Sequence, residues 1–303
     1  MIFEYALEPE MVAAWGDRVN HRYFIREFGS GQGRLVSRYP KKWARKVWDA
    51  CAGGSDMDKA RLTELLVRLQ ETMIKRKDYV WDEGATWLDN AGQEHARHPF
   101  RAVLAHNNPA GRPEILCEDG LAASPCPGWD NPHGITVNRK ASEMVAAVRQ
   151  MLTCCQWVKF IDPHLWPGES RYNNSLRAFM MVLAGPRPIV PPESIEIHTK
   201  RIDVEDHIIL KRFQEVIPNA LQVSLYQWQE RPRGQGLHNR YILTDLGGVS
   251  FHHGLDTGAD GETDDLTRLD MDQYLFRCKQ YDPAAPAFDQ AADPLKITGT
   301  LGR

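Results

Sequence analysis

Between residues 140 and 245 the chain steps regularly between helical and extended patterning, and no other feature limits its fold as tightly. The stretch 140–155 places Met144, Val145, Val148 and Leu152 at helical spacing, and Trp157 to Ile161 is a short apolar strand running into Asp162-Pro163. Helix-like 175–183 and 207–216 then alternate with strand-like 194–198 and 221–226, and a last strand, 241–243, leads into the Gly247-Gly248 turn. Such alternation predicts an α/β sheet flanked by helices. The sheet should be mixed, because its last strands follow each other closely. Ligands of such sheets sit beyond the carboxyl ends of the strands, which is where Asp162 falls.

The region before this alternation reads differently. Residues 1–105 are predicted to be mainly helical and have no assignable role. One helix carries Trp43, Val47 and Trp48 near one side, and a second runs from an Asp56 N-cap through Leu62, Leu65, Leu66, Leu69 and Met73 to the basic end Lys75-Arg76-Lys77. Residues 106–138 are punctuated by Pro109, Gly111, Pro113, Pro125, Pro127, Gly128 and Pro132, which reads as a connector. The α/β domain is then expected over 139–303.

Composition narrows the class. With 303 residues, 42% hydrophobic and 25% charged, the chain can bury a core without metal or disulfide staples. No apolar run reaches the ~18 residues that a membrane span needs, and the first residues lack the basic and apolar regions of a secretory signal. The six cysteines, at 51, 117, 126, 154, 155 and 278, include no C-x2-C pair. Reduced thiols in a cytoplasmic protein are the expectation. The net charge of −3 conceals an asymmetry. Residues 1–80 hold fifteen Lys/Arg against eleven Asp/Glu, whereas 241–303 hold five against eleven.

Chemistry concentrates in His238-x-Arg240-x4-Asp245. On a strand His238 and Arg240 would share a face. An imidazole beside a guanidinium can attack a phosphate and clamp it, and an acid a few residues on can orient the pair. The block HNRYILTDLGGVSFHHGLD, from His238 to Asp256, resembles the phospholipase D superfamily. It is most similar to the phospholipase D-like domains at the C-terminus of some MIT-domain proteins, which also occur alone in bacteria. Phe160 to Trp166, FIDPHLW, resembles an early stretch of the same domains, and the likeness spans about residues 140–285. It implies a phospholipase D-like mixed sheet flanked by helices. It also implies that His238 is a nucleophile forming a phosphohistidine without a metal or other cofactor, with Arg240 as the phosphate clamp and Asp245 as the motif acid. The sequence departs from the family in having Arg where Lys is usual, in Gly247-Gly248-Val249-Ser250 where G-S-x-N often follows, and in carrying one motif where active members unite two. A homodimer could supply the second copy.

Other residues compete for roles. Asp162 and His164 follow a strand end and could line the phosphate site, or could be ordinary turn chemistry. His198 reads as a satisfied core histidine. His252 and His253 could bind phosphate or metal, but they would point to opposite faces of a strand, against a shared metal. The acids at 260, 262, 264, 265, 270 and 272 fail the calcium-loop order, and Gly29, Gly31 and Gly33 form a loop rather than a dinucleotide fingerprint. Between residues 34 and 48, six cations alternate with Tyr39, Trp43 and Trp48. Lys42, Arg45 and Lys46 could meet nucleic-acid phosphates while the rings stack on bases, or the stretch could be a solvated helix face over buried tryptophans. The expected function is that of a metal-independent phosphodiesterase, a nuclease on DNA or RNA, in a bacterial defence setting. Its expected partners are nucleic acid, a second copy of the chain and proteins of the same system. The alternative is a non-catalytic phosphate-binding recruitment module.

Overall fold

A computed structural model describes residues 1–121 and 125–302, which gather into two compact units: Ile2–Pro132, and His133–Arg303 together with Met1. No helix among the described residues is long and apolar enough to cross a membrane.

The first unit is more than the helical region expected. Its strands β1 (Phe3–Leu7), β2 (Arg34–Val36), β3 (Ala102–Ala105) and β4 (Ile115–Cys117) form a fully parallel sheet in the order β2-β1-β3-β4. Around it lie α1 (Pro9–Ala14), α2 (Arg18–Glu27), α3 (Trp43–Ala50), α4 (Asp56–Glu71), α5 (Trp87–Arg97) and the short α6 (Glu118–Leu121). Both faces of the sheet are covered. Tyr5 and Leu7 of β1 join a core with Trp15, Trp43, Leu62 and Leu65, while Ala6 packs on the other side with Tyr39, Phe100 and Val103. A parallel sheet needs this double cover.

Two local readings change. The N-cap of α4 is Ser55, whose Oγ accepts from the Asp58 amide (3.2 Å) while Asp58 Oδ2 accepts from the Ser55 amide (3.3 Å), so Asp56 is the first helical residue. The helix stops at Glu71, and Arg76 is buried between Glu4 and Glu94 at 2.7 Å from each instead of serving the helix dipole.

The second unit holds the alternation foreseen at 140–245, and its elements match closely. The strands are β5 (Gly134–Asn138), β6 (Trp157–Ile161), β7 (Ser194–Lys200), β8 (Gln222–Gln229), β9 (Tyr241–Thr244), β10 (Gly247–Phe251), β11 (Thr263–Arg268), β12 (Asp289–Gln290) and β13 (Leu295–Thr298). The helices are α7 (Ala141–Cys154), α8 (Ser170–Ala184), α9 (Asp206–Gln214) and α10 (Met271–Gln280). The sheet runs β12-β8-β7-β6-β9-β10-β11-β5, with β13 also on β8. It is mixed: β6, β7 and β8 are parallel, and β9, β10, β11 and β5 continue antiparallel. Phe179 of α8 rests on Phe160 and Phe251 on one face (ring centroids 5.7 and 6.4 Å), and Tyr281 and Phe288 join Ile161, Trp228 and Leu243 on the other.

The division between Pro132 and His133 differs from the expected connector over 106–138. That stretch contributes β4 to the first sheet and β5, paired with β11, to the second. Its prolines, Gly111 and Gly128 fall outside these strands, which are only three and five residues long.

Candidate functional site

In a mixed sheet, antiparallel neighbours bring the start of one strand beside the end of the next. The ends of β6 and β10 and the start of β9 therefore meet, and Asp162, Arg240, His252, His253 and Gly254 collect there. The Phe251 amide donates to the Arg240 carbonyl (3.0 Å), which extends the ladder by one step and fixes Arg240 at the rim.

Asp162 is fully buried. Its Oδ1 accepts from the His164 amide (2.9 Å) and its Oδ2 from the Leu255 amide (2.8 Å). Burial pushes this carboxyl up, against the downward pull of the two amides and of Arg240. Asp256, also buried, takes Arg139 Nη2 at 2.7 Å on Oδ1 and faces Arg171 Nη1 at 3.2 Å on Oδ2. Arg139 reaches Glu262 as well (2.9 Å), and Arg171 reaches Glu169 (2.8 Å). Gly254 lets the carboxylates close in. Its φ is +149°, and a Cβ there would lie 2.8 Å from Asp256 Oδ1 and 3.0 Å from Asp162 Oδ2. Tyr172, on the first turn of α8, completes the wall, and its hydroxyl is raised first by burial and then by Asp162 and Asp256.

Arg240 is the cation least used by this network. Its Nη1 donates to the His238 carbonyl (3.2 Å), while its shielded Nε has no hydrogen-bond partner among the described residues. Arg139 and Arg171, in contrast, are each shared between two carboxylates.

His238 does not share a strand face with Arg240, because β9 begins only at Tyr241. The imidazole is 77% exposed and packs over Gly236, with Nε2 4.0 Å from Glu230 Oε1. Glu230 accepts from the Leu237 amide (2.9 Å), and that bond, helped by Lys200 and His238, holds its carboxyl below the usual range. His164 is exposed two residues after Asp162. His252 and His253 are exposed too, their rings edge to face at 5.3 Å. The strand order thus brings four exposed histidines to one end of three adjacent strands. The sequence held that signal in His252-His253 and the antiparallel β9–β10 turn, which carry the pair to the end of the sheet where His164 and Arg240 lie.

Asp245 does not join this group. It follows the far end of β9, five residues and roughly 16 Å from Arg240 at strand rise. Its Oδ1 accepts from the Gln156 and Trp157 amides (2.7 and 3.3 Å) and so anchors the start of β6. Burial raises this carboxyl against those two amides. Lys42, Arg45 and Lys46 belong to the Ile2–Pro132 unit, where Tyr39 and Trp43 are wholly buried and cannot act as base-stacking rings.

His198 is a core residue: Trp228 Nε1 donates to its Nδ1 (3.0 Å), which leaves Nε2 to donate to Glu196 Oε2 (3.0 Å). Burial alone would raise Glu196, but the His198 hydrogen bond and Lys159 (2.9 Å) hold its carboxyl at about 2. The acids after residue 260 form no loop cage. Asp264 and Asp265 sit on β11, where they accept from the His253 amide (2.9 Å) and the Thr136 hydroxyl (2.6 Å), and Asp270 caps α10. No known family, curated protein or solved structure matches the chain.

Proposed function

We propose that the His133–Arg303 unit handles phosphate esters at this end of its sheet, as a metal-independent phosphodiesterase acting on DNA or RNA. The observation that carries the reading is the half-buried Arg240 guanidinium, which forms no ion pair among the described residues, beside exposed histidines at the strand ends. The sequence likeness to the phospholipase D superfamily points the same way. His238 would attack phosphorus and form a phosphohistidine while Arg240 neutralises the phosphoryl oxygens. The departing oxygen would take its proton from a second histidine, for which His164, His252 and His253 are the candidates at that end. Water would then attack the phosphohistidine and free His238. A partner copy is one source of the second histidine; the strand order offers another within a single chain.

The test incubates the full chain with plasmid and single-stranded substrates in EDTA, beside His238→Ala. Cleavage that survives chelation and is lost in the variant supports the reading; wild-type protein without cleavage on either substrate sinks it.

A second reading, phosphate recognition without turnover, draws on the loose setting of His238, whose imidazole nitrogens have no polar partner among the described residues closer than Glu230 at 4.0 Å. It expects phosphate-bearing ligands to bind with no turnover and to be lost on Arg240→Ala.

A further inference from the structure

The Ile2–Pro132 unit has a cleft of its own. Beyond the carboxyl end of β2 the chain passes Tyr39 and Pro40 into the first turn of α3, and Trp43 ties that turn to the end of β1 by donating its indole N–H to the Leu7 carbonyl (2.6 Å). Lys41, Lys42, Arg45 and Lys46 line one side of an open cavity of about 660 Å³, with Tyr79 and Trp81 lining it as well. Cavities of this size hold small ligands, and the carboxyl ends of parallel strands are where α/β sheets place them.

Folding does not explain the cations. α3 has no acidic residue in its first turn and no side-chain N-cap, and positive charge at a helix N-terminus opposes the macrodipole. The neighbouring α4 shows the stabilising alternative, a Ser55–Asp58 capping box with Asp56 and Asp58 in the first turn. Lys41 and Lys42 form no ion pair among the described residues, and Arg45 reaches Asp49 only at 3.9 Å between two exposed side chains. Asp49 and Glu83 also line the cavity, so cations outnumber acids there by four to two. An anion seated among them would relieve both the side-chain repulsion and the uncapped helix end.

The other wall is aromatic and fixed. Tyr79 and Trp81 stand edge-on against the buried Tyr39, with ring centroids at 5.1 and 5.5 Å. Lys46 Nζ lies 5.2 Å from the Trp81 ring centre, and the shielded Trp81 indole N–H has no hydrogen-bond partner among the described residues. A rigid ring beside a group of ammonium and guanidinium charges suits a ligand that joins a flat aromatic group to a phosphate.

We propose that this cleft binds a phosphorylated nucleotide unit, its base against Trp81 and its phosphate among Lys41, Lys42, Arg45 and Lys46. A free nucleotide and the 5′-terminal nucleotide of a strand present the same chemistry. Nucleotide binding here does not require cleavage at His238, and the controls keep the two separable.

The full chain is titrated calorimetrically with AMP, inorganic phosphate, and an oligonucleotide with or without a 5′-phosphate. The variant Lys42→Asp/Arg45→Glu replaces exposed cations and puts acids at the start of α3. It should weaken binding at least about tenfold, the scale of one lost charge-assisted hydrogen bond, and leave Tm unchanged or higher. A structural role for these cations would move Tm the other way. Trp81→Leu should cost affinity for AMP but not for inorganic phosphate; if that variant does not fold, the charge variant still decides. AMP binding assigns the free nucleotide, and binding confined to the 5′-phosphorylated strand assigns the strand end. The proposal is overturned if no nucleotide ligand binds, if inorganic phosphate binds as tightly as AMP, or if the charge variant binds normally. It is also overturned if binding is lost in His238→Ala alone, which would place the ligand in the other unit.

Discussion

Each unit buries charge, and the two clusters differ in how completely it is answered. In the Ile2–Pro132 unit, Arg76 directs Nε and Nη2 to the two oxygens of Glu4 (2.9 and 2.7 Å) and Nη1 to Glu94 and the His98 carbonyl (2.7 and 2.9 Å), with its guanidinium 3.7 Å from the centre of the Phe100 ring. Glu94 is shared further with Arg97 (3.2 Å). Each guanidinium nitrogen of Arg76 has a partner, and the group joins β1, α5 and the segment after α4 from inside. In the His133–Arg303 unit, Asp162 and Asp256 are buried just as deeply, but Arg240 beside them is half-buried and forms no ion pair among the described residues. A closed network fixes a fold. An open one at a strand end leaves room for an incoming anion.

Breaking the closed network should have the larger effect. Arg76→Leu strands Glu4 and Glu94 without their cation and is expected to destabilise the first unit by about 3–5 kcal/mol, read as a drop in the denaturant midpoint. A loss near zero would show that the two carboxylates escape to water or take up protons. Gly254→Ala tests the open network next. The added methyl meets both carboxylates at a backbone angle that alanine rarely adopts, so a cost of about 1–3 kcal/mol and weaker phosphate binding should appear together. Normal binding in a well-folded Gly254→Ala protein would separate the carboxylate pair from the site.

The Glu196–His198–Lys159 group extends the comparison to pH. The folded Glu196 carboxyl lies near 2, below its ordinary value of 4.5, so its stabilisation is complete above pH 4.5 and fades as the pH falls toward 2. Glu196→Gln should flatten that part of a plot of unfolding free energy against pH; an unchanged slope would count against the assignment. The smallest effect on folding is expected at His238. With 77% of its side chain exposed, His238→Ala should change stability by less than about 0.5 kcal/mol while removing any cleavage activity. A destabilised His238→Ala protein would remove the ground for reading its loss of activity as chemistry.

The second unit was legible because its strands and helices are long enough to show their periods. Trp157 to Ile161, 194–198 and 221–226 all proved to be strands, with ends shifted by up to three residues. The first sheet was not. Arg34–Val36, Ala102–Ala105 and Ile115–Cys117 are three or four residues long, and Ala102–Ala105 is buried throughout, so no alternation marks it and Ala102-Val103-Leu104-Ala105 reads equally well as helix. At the site, the motif located Arg240 and His238 but also suggested that Asp245 stood with them. Spacing along the chain hides the fact that an intervening strand carries Asp245 to the opposite end of the sheet. Arg139, Arg171 and Asp256 met only through folding, across more than eighty residues, and no local pattern announces such a meeting.

The strand β5 has a practical consequence for anyone dividing this chain. It lies on the outer side of β11, and its five residues pair with Thr263 to Thr267. A cut after Asn138, where composition suggests the domain begins, would strip β11 of that neighbour and leave a row of amides and carbonyls facing water. Bare edges of this kind recruit other strands, including those of identical molecules. Fragments beginning at residue 139 should therefore self-associate, and those beginning at residue 133 keep their own guard strand.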